Sequence, residues 1–415
     1  MKDIPAKFAI IDDPRHSGYI THKLEHILTI VMCAVLCGLD QLDDILVYQE
    51  NHQAFLKTTF GIEHYPSKST YSRVLSIIDG NAVGQVIIQI MKQYFPNNGD
   101  IVAVDGKAIR STAQKGNPHS ALQILSAYLT ENGVILGQES IHEKTNEIPA
   151  FQQMLGYLAV EGKVITADAM HCQKETCRKI IEKKGHYVLG LKSNQPTLYK
   201  NTALYYADPE LKKEMAYHKT IEKNRGRIES RTCWKLEDLS WLEERDQWEG
   251  LKCLFAIERT VKEGEKESQE TSYYISSLDE SPERLMEIAR EHWKIESMHW
   301  MLDVTFGEDG SQFSSKNAQK TLNAMRKLAL AVHKNYLKVS GKKSSIKASM
   351  LFQSAIITHM TMIMISSRLC FIFTFWRLSV RVLKYCSIML KSSLDVILLR
   401  FSIHEYPFFS RVCPA

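Results

Sequence analysis

At 415 residues, 44% hydrophobic and 24% charged, the chain has the composition of a globular protein and length for two or three domains. A formal charge of +5 permits a polyanionic partner without demanding one. Nine scattered cysteines with no CxxC pair exclude a standard zinc ribbon and point to free thiols in a reducing compartment. The opening "MKDIPAKFAIIDDPRHSG" has no apolar run, so it is not a signal peptide, and a cytoplasmic chain is expected.

Residues 20–95 read as helical. "HKLEHILTIVMCAVLCGLD" carries apolar residues at helical spacing and stops at Gly38, "LDDILVYQENHQAFL" continues the pattern, and "PSKSTYSRVLSIID" opens with Ser67 or Ser69 as N-cap. A compact helical domain over 1–98 is expected, closed by the turn chemistry of "NNGD". From 101 the period changes. "IVAVDG", "ALQILSAYLT" and "GVILGQESIH" read as strands, then helix "NEIPAFQQMLGYLAV", strand "KVITADA", helix "CQKETCRKIIEKKG" and strand "HYVLGLK". This β-β-β-α-β-α-β order predicts an α/β fold, a mixed sheet with helices against it, the arrangement of ribonuclease H-like domains. Residues 205–280 read as a β-rich insertion around Trp234, Trp241 and Trp248. Ser281-Pro282 then starts a helix expected to run to about Leu302, and "NAQKTLNAMRKLALAVHKNYLK" forms another, completing a catalytic domain over 99–345.

Two strands end in acid. Asp105 closes "VAVD" and Asp168 closes "VITAD", 63 residues apart, and in this strand order both emerge at one sheet edge. Glu296, in "REHWKIESMHWMLDVTFGED", is the candidate third acid, with Trp293 and Trp300 expected to wall it in and His292 and His299 on its face. Three carboxylates so placed suit a hard cation such as Mg²⁺ and phosphoryl transfer. Each acid also has a plainer reading. Asp105-Gly106 is a strong hairpin turn signal, Asp168 suits the cap of the following helix, and Glu296 suits a solvated helix face. The His292…Glu296…His299 spacing leaves a zinc site open, although HExxH is absent.

Five segments in order, "VAVDGKAIRST", "VITADAMHCQKET", "YVLGLKSNQPTLY", "NRGRIESR" and "HWKIESMHWMLDVTFGEDGSQ", resemble the H-repeat-associated, ISAs-type insertion-sequence transposases of the DDE superfamily. "AVLCGLDQLDDI" and "PSKSTYSRVLSIID" are similar to the associated domain that precedes the catalytic core there, and the resemblance spans about residues 10–345. It implies that Asp105, Asp168 and Glu296 are the DDE triad. They would bind Mg²⁺ (Mn²⁺ as substitute), cut the ends of the element and join the 3′-hydroxyls to target DNA. Double-stranded DNA (terminal inverted repeats and target), a homodimer in a synaptic complex, a nucleoid-associated location and no membrane follow from the same resemblance. Element ends would be bound within 10–95, with Lys68 and Arg73 near phosphates. Lys107, Arg110, Lys183, Lys192, Asn194, Arg225, Arg227, His292 and His299 are candidate DNA contacts.

The sequence also departs from that pattern. Asn224-Arg225-Gly226-Arg227 stands where the family usually has His-Gly-Arg, and Ser297 replaces the common Asn after the motif Glu. Residues 346–415 form an atypical tail with no counterpart in the family after about Met350. From 351 it holds no Gly and only two acids, Asp395 and Glu405. A frameshifted readthrough accounts for this change, and a membrane-associated segment around "IITHMTMIMISSRLCFIFTFW" is the other reading. The rival functions are a decayed, non-catalytic DNA-binding derivative and a ribonuclease H-like nuclease.

Overall fold

Apolar runs at helical spacing, set between capping residues, make the N-terminal region helical: α1 (Ile4–Phe8), α2 (Leu24–Leu36), α3 (Leu42–Asn51), α4 (Gln53–Phe60), α5 (Lys68–Ile77) and α6 (Gly80–Tyr94). The Ser67 hydroxyl accepts from the Thr70 amide at the start of α5, and the Asp79 carboxylate from the Asn81 amide at the start of α6. The computed structural model describes residues 3–95, 99–141, 147–224, 226–352 and 354, and within these no strand precedes Ile101.

The sheet is mixed. Strands β1 (Ile101–Ile109), β2 (Leu122–Leu129), β3 (Val134–Ile141), β4 (Val164–Ala167), β5 (His186–Leu191), β6 (Ala216–Asn224), β7 (Arg227–Leu236), β8 (Cys253–Glu263) and β9 (Lys266–Ser276) lie in the order β3-β2-β1-β4-β5-β9-β8-β7-β6. β4 runs parallel to β1 and to β5, and the other neighbours are antiparallel. Helices α7 (Glu147–Tyr157) and α8 (Lys174–Glu182) make the crossovers. Asp105-Gly106 is not a turn. β1 continues through it to Ile109 because β2 supplies partners along its whole length, Ser126 opposite Asp105 and Leu125 opposite Gly106.

The β-rich insertion is part of the same sheet, since β9 pairs with β5 through Leu191 and Tyr273. It is preceded by α9 (Pro196–Ala207) and α10 (Pro209–Glu214), which the sequence pattern did not announce. β9 is antiparallel to β5, so the stretch from Tyr273 back to Lys266 projects past the carboxyl end of β5. At ~3.3 Å per residue this four-stranded blade reaches about 23 Å beyond that edge. The helix expected from Pro282 to Leu302 breaks at His292 into α11 (Pro282–Glu291) and α12 (Trp293–Val304).

Helix α13 (Lys316–Ser340) joins the two halves of the molecule. It packs against α2, α5 and α6 and also touches β3. Gly80 permits the approach of α6, because a Cβ there would lie 2.6 Å from the Asn317 carbonyl oxygen. One core runs from Ile27 and Val86 through Val102 and Leu125 to Leu328. The helical region up to 95 and the mixed region from 99 therefore share one packed core. The stretch at 346–352 is helical, with Met350 buried and its Sδ 3.1 Å from where a Cβ on Gly38 would stand. Apart from Ser354, the rest of the atypical tail expected from 346 lies outside the described residues. Among the described residues no single helix is long and apolar enough to cross a membrane.

Charge is buried at this junction. Arg326, fully buried on α13, donates Nε to Asp40 Oδ2 at 2.6 Å and Nη1 to Glu308 Oε1 at 3.2 Å. Asn323 also donates to Glu308, and Lys107 Nζ stands 3.3 Å from Glu308 Oε2. Burial works to raise the Glu308 carboxyl, but Arg326 and Lys107 hold it below the usual range. Replacing Arg326 by Met should cost roughly 3–5 kcal/mol, because two buried carboxylates lose their cation. Denaturant unfolding measures this, and a loss under about 1 kcal/mol would mean the network does not hold the halves together.

Lys327 is buried beside it and donates to Ser126 Oγ (2.7 Å) and Gln138 Oε1 (2.8 Å). Burial depresses its pKa from 10.5 to about 7 against the pull of Glu308. Between those values the unfolded chain holds a proton the folded chain lacks, so stability rises with pH in that window, by at most ~1.4 kcal/mol per unit. Melting temperatures from pH 7 to 9 should climb for the natural chain and climb less for Lys327→Met; parallel profiles would show that Lys327 stays charged when folded.

Candidate active site

The two aspartates meet through register. Val104 pairs with Ala167 across the parallel β1–β4 ladder, so Asp105 and Asp168, one residue further on, stand side by side at the carboxyl end of β4. Asp168 precedes a 3-10 turn, Ala169–His171, yet its side chain makes no capping hydrogen bond. The capping reading falls, and the carboxylate, 61% exposed, remains open to the site. Gly190 on β5 lets that turn sit close, since a Cβ there would be 3.2 Å from the Ala169 amide nitrogen.

Glu296 faces the same edge from α12. Burial raises its pKa; His292 opposes the rise, and the negative charges of Asp105 and Asp168 add to it, so the three acids act on one another. Asp168, Lys192, Tyr199, Tyr274, His292 and Glu296 line a cavity of about 490 Å³. Each histidine stands beside one aspartate. His292 Nε2 stands 3.6 Å from Asp168 Oδ1 while its Nδ1 is 3.2 Å from the Thr166 hydroxyl, and His299 Nδ1 stands 3.3 Å from Asp105 Oδ2. The His292 ring holds the Asp168 carboxyl below the usual carboxylate range against the partial desolvation of the cavity wall, with help from Lys192. Trp293 lines the same cavity as Glu296 and Trp300 does not, and both side chains are largely exposed, at 60% and 61%.

Oxygen donors at one edge suit a hard cation, and the Nε2 atoms of His292 and His299 are buried there without a hydrogen-bond partner among the described residues. The same residues do not form a closed ligand set: among the described residues no three His, Cys, Asp or Glu side chains converge as one. The zinc reading also loses its geometry, because the two imidazoles lie against different aspartates.

The basic candidates divide. Lys192 is exposed and lines the cavity. Arg110 projects into solvent, its side chain 83% exposed, while its amide donates to Asp309. Lys107 is taken out of the DNA-facing set. Its side chain is 9% exposed and its ammonium is held by Asp303 at 2.7 Å and by Glu308. Lys183 donates to the carbonyls of Leu155, Gly156 and Leu158, and Lys68 pairs with Asp43. Asn194 donates Nδ2 to the Ala169 carbonyl at 2.6 Å and so braces the turn behind Asp168. Arg227 lies 3.7 Å from Glu229 at the end of β7 that projects beyond the edge, and Arg225 is outside the described residues. A pair unforeseen in the sequence flanks the site: buried His171 Nε2 is 3.5 Å from Glu147 Oε2, and the Glu147 carboxylate lies over Gly106. Nothing in the spacing of α7 marked Glu147, because only the crossover decides which strand it covers.

A family model described as transposase DDE domain matches residues 96–332. The chain belongs to the DDE transposase family. A second model, DDE_Tnp_1-associated, matches residues 6–91. "Putative transposase YncI" of Escherichia coli O157:H7 is 33% identical over 347 residues, 80% of this chain and 87% of that protein. "H repeat-associated putative transposase YhhI" of Escherichia coli K12 is 32% identical, with 81% and 91% covered. Among solved structures, a piggyBac transposase synaptic complex with hairpin DNA aligns at a TM-score of 0.45 and 11% identity, over 91% of this chain and 82% of that one.

In this transposase, replacing His292 by Phe should raise the Asp168 pKa, since the group that lowers it most is removed. Carboxyl-carbon NMR titration of the natural and variant chains reads this directly, and an unchanged Asp168 would assign the lowering to Lys192 instead.

Proposed function

We propose that the chain cuts the ends of an insertion sequence and joins the freed 3′-hydroxyls to target DNA by two-metal phosphoryl transfer on a ribonuclease H-like core. The observation that carries this reading is the β1–β4 register, which sets Asp105 and Asp168 at one edge with Glu296 facing them from α12. Asp105, Asp168 and Glu296 would hold Mg²⁺, with Mn²⁺ as substitute. When bound, the ions supply positive charge that stabilises the attacking and leaving oxygens of an in-line displacement.

The chain's own residues prepare that edge. His299 and His292 orient Asp105 and Asp168, and Thr166 fixes the His292 ring. Lys192, exposed beside Asp168, meets a phosphate of the strand being cut, and Arg110 and the blade end at Arg227 meet flanking phosphates. Asn194 and Gly190 keep the turn that carries Asp168 in place. The helical region from 10 to 95 recognises the terminal inverted repeats, and two copies pair the two ends in a synaptic complex in the bacterial cytoplasm, on the nucleoid. Water opens the phosphodiester at the element end, leaving a 3′-hydroxyl on the element and a 5′-phosphate on the flank; that hydroxyl then attacks a target phosphodiester and displaces the target strand's 3′-hydroxyl, with no covalent protein–DNA intermediate.

Asp105→Asn, Asp168→Asn and Glu296→Gln should each abolish Mg²⁺-dependent cleavage of a duplex carrying an element end while leaving its binding nearly intact. Cleavage and gel-shift assays on the full chain measure both. A variant keeping more than about a tenth of the natural rate, a loss under ~1.4 kcal/mol, would remove that residue from the triad. Binding without any strand transfer by the natural chain would favour the decayed, non-catalytic reading.

A further inference from the structure

Across α12 from Glu296 lies a second cavity, of about 270 Å³, between the β2–β3 turn, α12 and α13. Lys294 and Ser297 line it from α12, Lys334 and Lys338 from α13, and Tyr128 and Gly133 from the turn side. Lys294 is two residues from Glu296, about 200° around the helix, so the two side chains leave α12 on nearly opposite sides. An occupant here would sit behind the helix that carries Glu296, outside the catalytic cavity.

Three ammonium groups from two helices line one small space, and the acids do not balance them locally. Lys294 bonds Glu291 at 2.6 Å, and Glu131, exposed on the turn, also borders the cavity. Lys334 and Lys338 have no carboxylate partner among the described residues. Lys334 donates only to the Tyr128 hydroxyl, at 2.9 Å, and lies over the Tyr128 ring at 5.5 Å. Burial, and then the charge of Lys294, press its pKa down to about 8, the mark of a cation short of counter-charge. The floor is built to stay open. Gly133, at φ +70°, leaves room where a Cβ would stand 3.3 Å from the Tyr128 hydroxyl and 3.4 Å from Lys334 Cδ, and the Asn335 amide ties α13 to the Asn132 carbonyl at 3.1 Å.

We propose that this cavity is a phosphate-binding site in which Lys294, Lys334 and Lys338 hold one phosphate group, of a DNA backbone or free in solution. A tetrahedral dianion or a phosphodiester offers several acceptor oxygens, which match ammonium donors arriving from two helices and neutralise their mutual repulsion. The DNA source rests on the transposase reading above; the phosphate chemistry does not.

The test uses the full chain and two variants, Lys334→Met with Lys338→Met, and Lys338→Glu alone, at an exposed position. Binding of a labelled DNA duplex is followed by anisotropy across salt concentrations, and inorganic phosphate binding by phosphorus NMR line broadening. If a backbone phosphate sits here, the slope of log K against log salt becomes shallower by roughly 0.9 in the double variant, the share of one neutralised phosphate, and Lys338→Glu weakens binding in the same direction. If the occupant is free phosphate, the natural chain broadens the phosphate line, both variants abolish the effect, and the DNA slope is unchanged. A slope and a phosphate line that neither variant alters would overturn the proposal. A natural chain that binds no duplex at any salt would overturn the transposase reading instead, while the phosphate measurement still decides the cavity.

Discussion

The guanidinium of Arg326, buried between Asp40 and Glu308, is the constraint around which this molecule is organised. Asp40 belongs to the helical region, Glu308 to the loop after α12, and Arg326 to α13. A charge in that position must keep both partners, because an unpaired buried ion costs several kcal/mol in real proteins. The cluster therefore fixes three distant stretches of chain relative to one another more strictly than apolar packing alone, which tolerates sliding. Lys107 extends it to β1, two residues beyond Asp105, and to Asp303 on α12. The strand bearing one acid and the helix bearing another are thus tied by the same cluster that joins the helical region to the sheet.

The site lives with its own repulsion. Burial, and after it the charges of Asp105 and Asp168, raise the Glu296 pKa against the pull of His292, and each aspartate has an imidazole set beside it. This arrangement keeps the acids close without closing them into a ligand cage among the described residues. Basic side chains divide by burial. Those near the core, such as Lys107 and Lys183, are consumed by carboxylates and carbonyls, whereas Lys192 lines the cavity exposed and Arg110, its Nε 3.7 Å from Asp309, keeps most of its side chain in solvent.

Strand and helix periods were legible along most of the described chain. The change at Ile101, the order β-β-β-α-β-α-β and the helices between residues 20 and 95 follow from the spacing of apolar residues and from turn residues such as Asn132-Gly133, whereas α1 was not read. The placement of Asp105 and Asp168 at one edge could be read from that order, because a right-handed crossover returns the fourth strand beside the first. Local signals misled where a neighbour outweighed them. Asp-Gly is a turn pair in isolation, but β2 holds Gly106 in the ladder, and the apolar pattern from Pro282 to Leu302 does not record the break at His292.

By itself, then, the sequence determined the strand and helix order, the membership of the family through its five ordered motifs, and the acids that share an edge. Tertiary structure alone decided which charges are spent. Lys107 was indistinguishable from a phosphate-binding lysine until Asp303 and Glu308 were found around it, and Glu147 had no mark until α7 laid it over Gly106. It also decided that the helical region and the sheet share one core, and that lysines 44 residues apart in the chain, Lys294 and Lys338, line one cavity. Periodicity is a local property set by backbone geometry, whereas the fate of a charge depends on what the fold brings within a few ångströms of it, and that information is spread over the whole chain.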